Sequence, residues 1–262
     1  FHGRTLTTIA ATGNPKYLEG FGPPVEGFDQ VPFGDLEAVK KAIGPETSAI
    51  LIEPIQGEGG VRVAPSAFLR ALRELCDKHG LMLIFDEVQT GIGRTGEIFA
   101  YERSGIAPDI MALAKALGGG FPIGACLATT EASKGMTAGT HGSTFGGNPF
   151  ACRVALAVID ILERIDGPAR ARIQGARILA GLDDRLGEHP GIRSIRGQGL
   201  MLGVEMTTSC KELVSLALEE RLLINVTADN VIRMLPPLIY RNEDSDELVD
   251  SLVKTIERFW NQ

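Results

Sequence analysis

Cysteine, histidine and aromatic residues are scarce in this chain of 262 residues: four Cys, four His and one Trp, with Phe, Tyr and Trp together at 6%. Cys76, Cys126, Cys152 and Cys210 are widely spaced, no Cys-x-x-Cys occurs, and no His pair falls at metal-ligand spacing. That excludes a structural zinc and leaves thiols that read as reduced, in a cytoplasmic protein with no metal site. A basic excess is also missing. The net charge is −7 and no Lys/Arg run exceeds a pair, so nucleic acid is not an expected partner. The longest apolar stretch, residues 110 to 129, is broken by Lys115, three consecutive glycines and Pro122, which rules out a membrane-spanning helix. No signal peptide is expected, and the sequence holds no internal repeat or low-complexity segment. The opening Phe1-His2-Gly3-Arg4 lacks both Met and the polar character of a mobile terminus, so the chain is expected to begin inside a domain.

What is present is an ordinary globular composition, 44% hydrophobic and 23% charged, long enough for one large domain and a smaller one. Asp35 is positioned to cap a helix carrying Leu36, Val39 and Ile43, followed by a strand over 49–53. Ser66 opens a second helix with Phe68, Leu69, Leu72, Leu75 and Cys76 in one stripe, and Gly80 ends it before a strand over 81–85. The apolar runs 110–114 and 123–128 are expected as buried strands of the same, mainly parallel, doubly wound sheet. Two long helical patterns follow, over 151–162 and from about 168 to 186. Beyond them, strands at 192–195, 200–205 and 231–235, a helix near 212–220 and a last helix predict a smaller α+β domain. The expected division is 1–163 and 164–262.

Charges at the ends of apolar runs are the informative anomalies. Lys115 stands alone in an apolar stretch, and an unpaired ammonium in such a setting is costly unless it is neutralised or used covalently, which makes it a candidate nucleophilic amine. Asp86 and Glu87 follow Leu81-Met-Leu-Ile-Phe85, and in open α/β sheets ligands bind at the carboxyl ends of strands; the plainer reading of such an Asp is a loop cap. Glu53 and Arg233 repeat the pattern, as a site or as a structural ion pair. The glycine clusters at 57–60, 118–120 and 142–147 suit either close approach to a phosphate or simple turns. Gly91-Ile-Gly93-Arg-Thr-Gly96 matches a dinucleotide fingerprint, but four residues separate it from Asp86 at the strand end, which argues against a nicotinamide site.

Taken together, Phe1-His-Gly-Arg4-Thr, Glu53-Pro-Ile-Gln-Gly57-Glu58-Gly-Gly60, Phe85-Asp86-Glu87-Val88-Gln89-Thr90-Gly91, Ala114-Lys115-Ala-Leu-Gly118, His141-Gly-Ser143-Thr144-Phe-Gly-Gly-Asn148-Pro149 and Ile232-Arg233-Met-Leu-Pro-Pro-Leu238 resemble the class III pyridoxal-phosphate-dependent aminotransferases, in order along the chain. The resemblance implies the fold-type I architecture and a homodimer with shared active sites. It implies that Lys115 is the Schiff-base lysine and proton shuttle, and that Asp86 pairs with the protonated pyridine nitrogen. Gln89 would reach the cofactor's phenolic oxygen, Val88 and Phe1 would flank its ring, and Thr144 with Ser143 would meet its phosphate from the partner subunit. Arg4 and Arg233 would clamp substrate carboxylates, with Glu58 covering Arg233 in one half-reaction. The role of His2 is open, with packing or support of a neighbour as the default.

The implied activity is transfer of the distal amino group of N-acetylornithine to 2-oxoglutarate. Succinylornithine, ornithine, succinyl-diaminopimelate and 4-aminobutyrate remain open as donors, as does a non-catalytic, dimer-forming fragment. The family's Gly/Ser/Thr-rich phosphate loop, which precedes the position of Phe1, is not in this sequence.

Overall fold

In the computed structural model, which describes residues 1–261, the apolar runs assemble into two four-stranded sheets and one short hairpin. The first stretch of chain carries β1 (Ala49–Ile52), the hairpin β2 (Ile55–Gln56) and β3 (Arg62–Val63), then β4 (Met82–Asp86), β5 (Ile110–Leu113) and β6 (Ala125–Ala128). The first sheet has the order β1-β4-β5-β6, with β1, β4 and β5 parallel and β6 antiparallel.

Local sequence explains the elements around this sheet. Helices α1 (Leu6–Thr12) and α2 (Pro15–Leu18) lie near the start of the chain. In α3 (Leu36–Ala42), the Asp35 carboxylate accepts the Ala38 N–H at 2.9 Å and Lys40 and Lys41 face the negative end of the helix dipole. In α4 (Ser66–His79), Phe68, Leu69, Leu72, Leu75 and Cys76 form the buried stripe, and Gly80 adopts the left-handed conformation that closes the helix. Ser66 is the first helical residue and makes no side-chain cap.

Register decides which side of the sheet is covered. Ile52 pairs with Phe85 and Phe85 with Met111, so these side chains share one face, together with Leu83 and Leu113. That face is buried against α3, α4 and α5 (Pro149–Ile165). Each fully buried Leu or Phe there contributes about 1.5–3 kcal/mol. The opposite face leaves Leu51 and Met82 exposed. Burial of β6, expected from its apolar sequence, does not occur: all four residues are exposed, and among the described residues β6 is an edge strand hydrogen-bonded to β5 alone.

The second sheet is wholly antiparallel, ordered β7 (Ile192–Gln198), β8 (Met201–Met206), β10 (Val231–Met234) and β9 (Asn225–Thr227). α6 (Gly167–Leu186), α7 (Leu213–Glu219) and α8 (Asn242–Trp260) close its core, in which Ile178, Leu182, Leu202, Val204, Ile232 and Leu252 are inaccessible. Asp166 separates α5 from α6 with a left-handed backbone and caps α6 through the Ala169 N–H. The strands β2, β3 and β9 were not expected; runs of two or three residues are too short to show an alternating pattern.

The two sheets are joined through the Gly91–Gly96 segment. Arg94 donates to the carbonyls of Leu200 and Pro236, and the Leu200 N–H returns a bond to the Arg94 carbonyl at 2.9 Å. Burial pushes the Arg94 guanidinium down to about 10. Gly199, with φ +55°, packs so closely that a Cβ there would lie 2.5 Å from the Thr95 carbonyl carbon. The glycine-rich segment is thus a stack of turns that receives the β7–β8 turn, and it opens no helix of the dinucleotide-binding kind.

Candidate active site

Asp86 ends β4 and Lys115 lies just past the end of the adjacent parallel strand β5, so both stand at the carboxyl edge of the first sheet. Asp86 is buried and both of its oxygens are engaged: Oδ1 accepts the Val88 N–H at 3.0 Å and Oδ2 lies 2.8 Å from His2 Nδ1. Lys115 adopts φ +47°, a left-handed conformation that costs a non-glycine residue about 1–3 kcal/mol. It opens a short 3-10 turn, Lys115–Gly118, anchored by buried Leu113 and Leu117. The apolar setting inferred for its ammonium belongs to those neighbours. The Lys115 side chain itself is exposed, because the strained turn directs the backbone out of the sheet while the flanking leucines point into the core.

Three residues from Asp86, Gln89 leads to a second cluster. Arg233, on β10, pairs with Glu58 at 2.8 Å, donates to Gln89 Oε1 at 3.2 Å and to Asn225 Oδ1 at 2.9 Å. Glu58 sits in the β2–β3 turn, where Gly57 lets Gln89 approach closely: a Cβ at Gly57 would fall 2.1 Å from Gln89 Oε1 and push that side chain aside. Arg233 is largely buried and Glu58 about one-third exposed, so the pair has a fixed member and a more solvent-accessible one. Gln89, expected at the cofactor's phenolic oxygen, here turns its oxygen to Arg233.

The remaining candidates lie around these two groups. Arg4 is exposed and stacks its guanidinium over the rings of Phe1 and Tyr17, at 5.2 Å and 4.2 Å from their centroids. The Phe1 backbone amine donates to buried Glu53 at 2.7 Å. Val88 is half-buried. Ser143 and Thr144 lie on an exposed loop before α5, and among the described residues neither side chain is hydrogen-bonded to Asp86 or Lys115. Glu87 turns away from the site: its carboxylate accepts the Ala100 and Tyr101 N–H groups and the Thr90 hydroxyl at 2.8–2.9 Å. Burial raises its pKa and those donors oppose the rise.

Sequence reasoning left His2 at packing or support of a neighbour, of which the bond to Asp86 is the second, and missed the task of Asn225. The position of His2 beside Phe1 was a weak signal; Asn225, on a three-residue strand, had none. Among the described residues no cluster of His, Cys, Asp and Glu could hold a metal ion.

Comparison with known proteins bears on this arrangement. The chain is 58% identical over 253 residues to the acetylornithine aminotransferase of Agrobacterium fabrum, covering 94% of this chain and 62% of that protein. It is 56% identical over 255 residues to acetylornithine aminotransferase 1 of Bradyrhizobium diazoefficiens, covering 96% and 62%. The chain therefore spans less than two thirds of the length of these relatives. Among solved structures, the ornithine aminotransferase of Toxoplasma gondii matches with a TM-score of 0.95 at 34% identity, over 100% of this chain and 64% of that one. The acetylornithine aminotransferase of Elizabethkingia anophelis matches with a TM-score of 0.85 at 36% identity, over 90% and 64%. These likenesses make the architecture that of the fold-type I aminotransferases. The model of the aminotransferase class-III family matches residues 1–256, and the chain belongs to that family.

Proposed function

We propose that the protein transfers the distal amino group of N-acetylornithine to 2-oxoglutarate, giving N-acetylglutamate semialdehyde and glutamate, a step of arginine biosynthesis. The observation that carries this reading is the Glu58–Arg233 pair at 2.8 Å, tied through Gln89 to the turn that begins at Asp86. The names of the relatives support the choice of donor.

Pyridoxal phosphate is the cofactor of this family, and the Toxoplasma gondii ornithine aminotransferase carries it at partial occupancy. The donor set fits it. A primary amine and a hydrogen-bonded carboxylate at the ends of neighbouring strands suit, respectively, an aldehyde and a protonated ring nitrogen. When bound, the cofactor supplies an electron sink for the substrate carbon that loses its proton. Lys115 Nζ takes that proton and returns it to the product side, from a position left open by its strained turn. Asp86 holds negative charge in a fixed orientation for the ring nitrogen, with Phe1 and Val88 at the ring faces. In the donor half-reaction Glu58 neutralises Arg233 and Arg4 takes the carboxylate of N-acetylornithine. In the acceptor half-reaction Glu58 swings aside and Arg233 takes the α-carboxylate of 2-oxoglutarate or glutamate.

The working unit is a cytoplasmic homodimer with shared sites. Four free cysteines and the lack of any helix long and apolar enough to cross a membrane, among the described residues, accord with that location. Exposed Phe145 and Phe150, beside Ser143 and Thr144, accord with a loop that reaches a partner's cofactor phosphate. The first unit runs over 1–163 and the second over 164–262, near the turn at Asp166.

The rival reading is an enzyme for unacylated ornithine, favoured by the likeness to the Toxoplasma gondii structure. Glutamate formation by the holoenzyme from 2-oxoglutarate, with N-acetylornithine, ornithine or 4-aminobutyrate as donor, decides between them. The highest kcat/KM is expected for N-acetylornithine; a higher value for either other donor overturns the proposal.

A further inference from the structure

The turn that carries Glu58 is not free-standing. Its last bond runs from the Gly60 N–H to the Gly57 carbonyl at 3.2 Å, and it ends in Val61, a fully buried β-branched residue at φ +52°. Such a conformation persists only when its surroundings over-determine it. The fixing group comes from the other sheet. Arg196, on β7, donates Nη2 to the Gly60 carbonyl at 2.6 Å and Nε to the Val61 carbonyl at 3.1 Å. Its third nitrogen, Nη1, bonds Glu205 at 2.5 Å and the Ser194 hydroxyl, and Arg193 holds Glu205 from the other side at 3.0 Å. One guanidinium thus spends its planar fork on two carbonyls of the turn while its charge is balanced on β8. Beside it, a cleft of about 530 Å³ lined by Phe33, Gly59, Arg62, Arg196, Glu205 and Val231 leaves the turn space to move if that hold is lost.

The geometry points to Arg196 as a positioning residue for substrate selection: it fixes the base of the Glu58 turn to the sheet that carries Arg233, so that only the Glu58 side chain moves between half-reactions. This rests on the Glu58–Arg233 switch described under the proposed function. Glu58 and Arg233 belong to different sheets, and the 2.8 Å pair survives repeated opening only if the turn returns to one place relative to β10. Arg196 supplies that reference, because β7, β8 and β10 are one hydrogen-bonded sheet. Without it the whole turn drifts towards the cleft, Glu58 covers Arg233 less often, and the exposed Arg233 admits the α-carboxylate of glutamate in the donor half-reaction.

The test is a double-mutant cycle on the holoenzyme, reading kcat and KM for N-acetylornithine and for glutamate as donors. Arg196→Met is expected to raise the glutamate preference roughly three- to tenfold, within the range of coupling between contacting groups. It should do so mainly by lowering KM for glutamate, and add nothing further in a Glu58→Ala background. A loss shared equally by both donors, or the same shift in both backgrounds, overturns the inference. An unchanged preference in Glu58→Ala overturns the underlying switch and this inference with it, whereas a shift in Glu58→Ala without one in Arg196→Met refutes Arg196 alone. Should Arg196→Met not fold, Arg196→Lys keeps the cation opposite Glu205 but loses the fork. An intermediate shift is expected of it, and a wild-type preference refutes the role.

Discussion

His2 Nδ1 and Asp86 Oδ2 lie 2.8 Å apart although 84 positions separate them in the chain. With Val88 on the other oxygen, the Asp86 carboxylate has one orientation, and its charge faces the carboxyl edge of the sheet without a Lys or Arg partner among the described residues.

Replacing His2 by Phe keeps the packing volume and removes that bond. A hydrogen bond to a charged group is worth about 1.5–3 kcal/mol, so kcat/KM should fall by about tenfold or more. The fall should be equal for N-acetylornithine and glutamate, since in the proposed function Asp86 serves both half-reactions. Steady-state kinetics with the two donors checks this; an effect on one donor alone would falsify the assignment.

Lys115→Ala should leave the fold unchanged, because the side chain is exposed and alanine keeps the same Cβ, so the left-handed backbone is no more strained than with lysine. Transamination should drop to background. Mass spectrometry after borohydride treatment with pyridoxal phosphate should find the cofactor fixed to the wild-type chain and absent from the variant. Cofactor fixed equally to both would remove Lys115 from its role.

Glu87→Ala makes the opposite prediction, a stability loss without a change in selectivity. The Ala100 and Tyr101 N–H groups and the Thr90 hydroxyl would all lose their acceptor in a buried site. The expected cost is about 2–4 kcal/mol, read as a lower urea midpoint, with the ratio of kcat/KM for the two donors unchanged.

Glu205 links the Arg196 anchor to pH. Partial burial raises its pKa, but hydrogen bonding and charge from Arg196, then Arg193, outweigh it and hold the carboxyl below its ordinary value of 4.5. A carboxylate depressed on folding contributes stability that is complete above the unfolded value and is lost as pH falls through the folded one. The urea midpoint should therefore decline as pH drops below about 4.5, and Glu205→Gln should flatten part of that decline. Identical pH profiles for the two proteins would show that this pair adds nothing.

Much of the fold was legible because its elements carry local signals. Asp35 marks the start of α3, Gly80 the end of α4, and the stripe from Phe68 to Cys76 its buried side. β6 misled because its apolar sequence is that of a buried strand, while its exposure follows from what lies beside it. Lys115 misled in a similar way: its neighbours in sequence are apolar, yet a single positive φ turns its side chain away from the core they fill. The hairpin β2–β3 carried no readable period, although its glycines marked a close approach.

The sequence by itself determined the helices from α3 onward and the central strands and, through its resemblance to a family, the roles proposed for Lys115 and Asp86. Those features depend on periodicity, caps and residue types that are complete within short windows. The resemblance also anticipated that Glu58 covers Arg233, 175 positions away, whereas only the tertiary structure decided that His2 meets Asp86 and that Arg196 holds the turn carrying Glu58. Each of these is a contact between elements far apart in the chain. The directional reach of a hydrogen bond, about 3 Å, becomes satisfiable only after sheet register and packing have placed both partners.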